Sequence, residues 1–318
     1  MDIYNLTTMK EFFLLGLTDL TEVHYPLFLF LAVIYQVTLL GNCTILLAIG
    51  TEKKLHTPMY YLLANRSLLD IFCPSAIIPK MLENLLTEKQ SISFVGCALQ
   101  LYFLVALVGT KAFLLALMAY DRHVAICYPL HYTLIMTKVL CAQLTAGIWT
   151  AGFLNSLLHT VLTFHLSFCK SHQVNQYYCD ILPVMVLSCS STFVSKLLVL
   201  VEGGILGISA FLITLISYIY IISTILKIQS AEGKRKAFST CASHLIVVCL
   251  FYGTILFTYL RPSSSQHSPA RDRLISMLYT IITPMINPII YSLRNTEVKG
   301  AIKKVLCYSK RNSHKELT

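Results

Sequence analysis

Charge is what this sequence has least of. Asp, Glu, Lys and Arg make up 13% of its 318 residues, roughly half the share found in a soluble chain. Its 13 glycines and 10 prolines are too few for a collagen-like, low-complexity or disordered polypeptide. It shows no repeat of fixed period and no appended polar domain. Its first residues lack the basic stretch followed by an apolar one that a cleaved secretion signal needs. The surplus lies elsewhere, since 56% of the residues are hydrophobic. They fall in blocks of about 20 or more, long enough to cross a hydrocarbon core of roughly 30 Å as helix. These proportions exclude a soluble globular enzyme and describe an all-α, polytopic membrane protein.

Seven blocks run at about 25–50, 58–82, 96–121, 139–163, 196–226, 237–260 and 272–293. The organisation expected is an outer segment 1–24, a seven-helix domain 25–293 and a tail 294–318 that carries a short amphipathic helix. With residues 1–24 outside, the inner loops and tail hold 15 Lys and Arg against 8 outside, which satisfies the positive-inside rule. Acidic residues number five inside and eight outside, so the whole formal charge of +10 lies on the cytosolic face. Anionic lipid and an acidic partner surface are available there. No basic, aromatic-interleaved surface domain offers a nucleic-acid site.

Topology sorts the 11 cysteines. Cys97, Cys169, Cys179 and Cys189 lie on the outer, oxidising side, where four thiols allow three pairings. The others, Cys307 in the tail among them, are most simply reduced; Cys307 is also open to palmitoylation. Asn5-Leu6-Thr7 is an outward glycosylation sequon, whereas the matches at Asn42 and Asn65 are hidden in the bilayer.

Six motifs follow in order. They are Gly41-Asn42; Leu55-His56-Thr57-Pro58-Met59-Tyr60; Met118-Ala119-Tyr120-Asp121-Arg122-His123 running on to Cys127; Ser217-Tyr218; Lys236-Ala237-Phe238-Ser239-Thr240-Cys241-Ala242-Ser243-His244; and Pro284-Met285-Ile286-Asn287-Pro288-Ile289-Ile290-Tyr291. Over about residues 10–305 this set resembles the vertebrate odorant receptors of the tetrapod type (class II), within the rhodopsin-like G-protein-coupled receptors.

The resemblance implies a receptor that takes small, largely apolar volatile ligands between its helices and activates a stimulatory, olfactory-type G protein to raise cAMP. It implies no cofactor and no metal, and a multi-pass chain in the plasma membrane of sensory cilia. By resemblance Arg122, with Asp121 beside it, meets the G protein when span six moves; on its own the pair also reads as a snorkelling arginine with a neighbouring carboxylate. His123 departs from the tyrosine usual there. Lys236, Ser239 and His244 mark the moving inner end of span six. Pro284 and Pro288 remove backbone donors from span seven, so a kink or local unwinding is expected, with Asn287 and Tyr291 placed to satisfy freed groups. The pairing Cys97–Cys179 and Cys169–Cys189 also comes from resemblance; spacing leaves it open, as it leaves a metal site from His165, Cys169 and His172.

On span three Leu104, Val105, Val108, Gly109 and Ala112 share a helical face, as do Tyr252, Ile255, Leu256 and Tyr259 on span six. Apolar stripes at this spacing are usually packing, and it is the resemblance that makes them ligand-lining. Tyr252, Tyr259, Ser276, Thr280, His159 and Glu202 are the candidate polar anchors, with Glu202 open equally to hydration, protonation or pairing.

One position breaks the family pattern. Asp70 lies about 18 Å and Lys111 about 16 Å above the inner face by helical rise, hence at one depth. Family members often carry an acid at the Lys111 position, which with the aspartate would hold sodium. Here an Asp70–Lys111 ion pair is expected to replace the ion, with Arg66 one turn away as a competitor. The alternative is a Lys111 that snorkels or loses its proton.

Rival classes are poorly supplied. A transporter or channel calls for repeats, helices broken at the midplane or charge rings, and a membrane enzyme for a nucleophile–base set. A silent or non-olfactory chemosensory receptor of the same fold remains the alternative. Oligomeric state has no signature in the sequence.

Overall fold

The computed structural model describes residues 10–17, 21–87, 90–169, 171–259, 269–294 and 297–304, with backbone alone at 21, 236, 239–240, 255–259, 269–272 and 292–294. Span one is helix α1 (His24–Thr51). Span two is α2 (Pro58–Ser75) continued by α3 (Ile78–Leu86), and span three is α4 (Phe94–Cys127). A short α5 (Tyr132–Ile135) sits in the inner loop before span four, α6 (Lys138–Phe164). The outer loop carries α7 (Ile181–Met185) ahead of span five, α8 (Phe193–Lys227), and span six is α9 (Ala231–Tyr259). Span seven is built in three pieces: α10 (Pro269–Met277), a π-helical turn (Leu278–Ile282) and α11 (Thr283–Arg294).

Five of these segments are long and apolar enough to cross a membrane by length and composition alone: α1, Pro58–Leu86, α4, α8 and Arg273–Tyr291. Span six contributes a shorter apolar stretch, Cys241–Thr254. Span four is diluted by polar residues, and the structure turns several of them inward: Thr145, Ser156 and His159 are all buried. Large apolar side chains point the other way. Leu29, Phe30 and Val33 on α1, and Leu200, Ile205, Ile208 and Ile219 on α8, are exposed, a surface that lipid satisfies and water does not.

Helix starts follow local chemistry. Ser93 Oγ accepts from Gly96 N at 3.0 Å to cap α4, Thr137 Oγ1 accepts from Leu140 N at 3.2 Å to cap α6, and Pro58 occupies the first turn of α2. Helix α4 is the axial element, packed against α2, α6, α8 and α9. Two glycines set close approaches. A Cβ on Gly152 of α6 would meet Thr110 Oγ1 and the Ala106 carbonyl of α4; one on Gly41 of α1 would meet the Pro288 ring at 3.0 Å.

The outer end holds a feature absent from the expected plan for residues 1–24. Strands β1 (Glu11–Leu14), β2 (Ser91–Ser93) and β3 (Gln173–Val174) form a sheet in the order β2-β1-β3, antiparallel to β2 and parallel to β3. Phe12 is fully buried, its ring 5.9 Å from Phe94, 6.4 Å from Phe164 and 5.5 Å from Phe168. At the inner end, the expected tail helix occupies residues 297–304. Val298 and Ala301 are buried beneath it, and Lys304 Nζ pairs with Glu52 Oε1 at 2.8 Å.

Candidate ligand site and inner switch

Spans three, five and six meet at Tyr252. Its hydroxyl donates to the Ala112 carbonyl at 3.3 Å, and its ring stands edge-on to Phe211 at 5.3 Å. Leu104 is buried there, and Val108 and Ala112 pack on the same apolar cluster, with Phe251 and Ile281 among its members. Gly109 is partly buried. Val105 turns to the separate outer cluster around Cys97 and Cys179. Of the face predicted on span six, the side chains of Ile255, Leu256 and Tyr259 lie outside the described residues, as do Asn5 and Cys307.

Span seven supplies Ser276 and Thr280, both buried, with Thr280 Oγ1 donating to the Ser276 carbonyl at 2.7 Å. Both already have partners from the outer loop. Gln176 Nε2 donates to Ser276 Oγ at 3.3 Å, Tyr177 and Thr280 share a hydroxyl contact at 3.1 Å, and Tyr178 meets the Tyr279 hydroxyl at 3.0 Å. Burial pushes both phenols, Tyr177 and Tyr178, well above their ordinary range, so they remain neutral donors. Neighbouring Asp180 is also pushed up by burial, against the backbone N–H of Ile181 at 2.8 Å with which it caps α7. In the sequence this loop insertion is marked only by a polar aromatic run ending at Cys179.

Both disulfides implied by the resemblance are formed, Cys97–Cys179 and Cys169–Cys189, with Cα separations of 5.5 and 5.7 Å. The second consumes the thiol that a His165–Cys169–His172 metal site requires. The first, with Gln100 Oε1 accepting from Cys179 N at 2.8 Å, fixes the loop over the helices.

Glu202 Oε2 lies 3.1 Å from His159 Nε2, a contact between α8 and α6, while the glutamate stays partly exposed. A crevice of about 20 Å³, room for one water, lies beneath the N-terminal strand between Leu14, Leu17, Met81 and Tyr177. None of the predicted ligand residues lines it.

At mid-depth the expected ion pair is present. Lys111 Nζ is 3.0 Å from Asp70 Oδ1. Arg66, anticipated as a competitor, joins instead: its Nε sits 3.2 Å from Asp70 Oδ2, and Asn287 Nδ2 donates to that same oxygen at 2.6 Å. Three side chains from spans two, three and seven thus meet at the Asp70 carboxylate, and Arg66, Asp70 and Asn287 are at most 1% exposed.

Span seven is distorted as its prolines require, but the freed group finds another partner than expected. Pro288 has no N–H for the Pro284 carbonyl, and Asn42 Nδ2 of span one donates to it at 3.2 Å. Asn287 is instead committed to Asp70, and Tyr291 is buried with no acceptor for its hydroxyl among the described residues. Gly41 admits the Pro288 ring next door, which gives the Gly41-Asn42 motif a physical reason.

At the inner end Arg122 Nη2 lies 2.5 Å from Asp121 Oδ2, and Tyr132 Oη donates to Asp121 Oδ1 at 2.7 Å. Burial and that carboxylate push the Tyr132 phenol up, keeping it a donor. Tyr218 and His244 Nδ1 are 2.6 Å apart and stacked, linking spans five and six. His123 sits among Tyr120, Tyr128 and Tyr220, ring centres 6.2, 5.7 and 5.4 Å away. The side chains of Lys236 and Ser239 lie outside the described residues.

A bundle of membrane-length helices, clasped outside by a disulfide-bound loop and held inside by an arginine–carboxylate pair, is a heptahelical membrane receptor. A family model described as olfactory receptor matches residues 31–309. The chain is 50% identical over 306 residues to olfactory receptor 1G1 of Gorilla gorilla gorilla, covering 96% of this chain and 97% of that one. It is 48% identical over 302 residues to olfactory receptor 1F1 of Homo sapiens (95% and 96%), and 49% over 302 residues to olfactory receptor 5B21 of Mus musculus (95% and 94%). The chain belongs to the olfactory receptor family. It is a multi-pass odorant receptor, not an enzyme.

Proposed function

We propose that this receptor binds small, largely apolar volatile molecules in the outer half of the bundle and signals through a stimulatory, olfactory-type G protein to raise cAMP, from the plasma membrane of sensory cilia. The observation that carries the ligand site is the convergence of spans three, five and six on Tyr252, with its hydroxyl on the Ala112 carbonyl at 3.3 Å. Leu104, Val108, Gly109 and Ala112 form the apolar wall, and Ser276 and Thr280 supply polar anchors once the outer loop yields them. Such a wall with few anchors favours compact apolar ligands carrying one or two polar groups. Asp121, Arg122, His123, His244, Asn287, Pro288 and Tyr291 form the switch, and the basic inner face meets the G protein and anionic lipid.

The test is cAMP accumulation in cells that display the chain, challenged with a panel of volatile compounds, with surface staining and Arg122→Ala in parallel. A dose-dependent rise, abolished in Arg122→Ala at equal display, is expected. A rise that survives that substitution, or flat responses across the panel with good display, overturns the reading.

A second element of the mechanism rests on the 3.0 Å contact between Lys111 and Asp70. In this reading the ammonium takes the place of a bound sodium ion and stabilises the resting bundle.

A further inference from the structure

The Asp70 cluster does not balance its charge. Arg66 and Lys111 bring two cations to one carboxylate, and Arg66, Asp70 and Lys111 are each at most 2% exposed. The ion pair at the inner end, Asp121–Arg122, is neutral in itself. The titratable neighbours Cys73, His244 and Tyr291 are neutral in their ordinary states at pH 7. Arg66 cannot shed its proton. One positive charge therefore stands uncompensated among the described residues, in a setting where a lone buried charge is strongly disfavoured.

The unpaired donors mark where a counter-charge belongs. Asp70 engages Arg66 through Nε, and Arg66 Nη1 and Nη2, both buried, meet no acceptor among the described residues. On span seven the buried hydroxyl of Tyr291 is likewise without an acceptor among the described residues. A buried guanidinium with both Nη groups free is a donor set for an anion, and a small monovalent anion matches the single surplus charge.

We propose that this receptor holds a small monovalent anion of the halide class, chloride in physiological solution, against Arg66 in the middle of the bundle. The ion makes the cluster neutral: two cations, the Asp70 carboxylate and one halide. The site stands on the charge cluster alone and does not depend on which odorant binds or which G protein couples.

The experiment uses the full-length receptor in lipid nanodiscs, without odorant, melted in sodium chloride, sodium bromide or sodium gluconate at equal ionic strength. Chloride and bromide, but not the bulky gluconate, are expected to raise the melting temperature by a few degrees along a saturable curve. Arg66→Leu removes the surplus cation. Its midpoint chloride concentration is expected to rise at least roughly tenfold, the loss of one charge-assisted hydrogen bond. Chloride NMR line broadening on the unsubstituted receptor, relieved by added bromide, gives a readout that needs no variant. Equal melting in chloride and gluconate with no line broadening overturns the proposal and assigns a neutral amine to Lys111. A chloride effect of the same size in folded Arg66→Leu also overturns it, by showing a general salt effect.

Discussion

At the scale of single residues, Lys111 changes what the bundle needs from solution. An acid at this position would put two carboxylates against Arg66 and leave one negative charge to be met by a cation. Lysine meets Asp70 directly, at 3.0 Å. Replacing external sodium with an organic cation, at constant chloride, is therefore expected to leave the receptor's odorant-evoked cAMP response unchanged. The Lys111→Glu variant is expected to acquire sodium dependence, its half-maximal odorant concentration shifting roughly fivefold or more, the lower end of ordinary allosteric coupling. Dose–response curves at several sodium concentrations decide the matter. A native receptor as sodium-sensitive as Lys111→Glu would show that the ammonium does not stand in for the ion. Helical rise was enough to place Asp70 and Lys111 at one depth, because both count from well-marked inner ends. It could not say that Arg66 would share the carboxylate, since whether an i,i+4 neighbour competes or joins depends on the rotamers left by packing.

At the scale of elements, Gly152 lets α6 come close against α4. Gly152 lies against the Ala106 carbonyl, which cannot swing away, and against Thr110, which can. Gly152→Ala is expected to cost about 1–3 kcal/mol through overpacking. Gly147→Ala, on the same helix with nothing within 4 Å of the added carbon, is expected to stabilise by about 0.5–1 kcal/mol through helix propensity. Parallel melting of the two variants in nanodiscs checks both signs. Equal effects would mean that the contact at Gly152 relaxes freely. The spans themselves were legible because apolar blocks of bilayer length are bounded by charge; the start of α6 falls at Lys138 and the start of α2 at Pro58, where charge and proline placed them. The π-helical turn was legible only as a kink. Proline removes a donor wherever it stands, but which neighbour answers it, here Asn42 of span one, depends on how the bundle closes. The four-residue strand β1 gave no sequence signal, because its partners lie some 80 and 160 residues away and its burial depends on phenylalanines from three other segments.

At the scale of the whole molecule, the outer loop works as a clasp. Cys179 ties it to the head of span three, while Gln176, Tyr177 and Tyr178 reach span seven through Ser276, Thr280 and Tyr279. If Ser276 and Thr280 are the ligand anchors proposed above, the loop and the ligand compete for the same hydroxyls and the clasp sets how easily the site is filled. The two disulfides divide the work. Cys97–Cys179 closes a separation of 82 residues and Cys169–Cys189 one of 20. By loop-closure entropy the first contributes about 4–5 kcal/mol and the second about 3 kcal/mol. Cys97→Ser with Cys179→Ser is therefore expected to lower surface display and melting temperature more than Cys169→Ser with Cys189→Ser. The sharper difference should appear among the receptors that do reach the surface. The first pair of substitutions frees the tyrosines from span seven and shifts the half-maximal odorant concentration, whereas the second loosens only a hairpin within the loop and leaves it in place. Flow-sorted cells of matched display, assayed for odorant-evoked cAMP, separate the two effects. Identical shifts for both pairs would show that the loop acts through its stability alone, without the hydroxyl contacts to span seven.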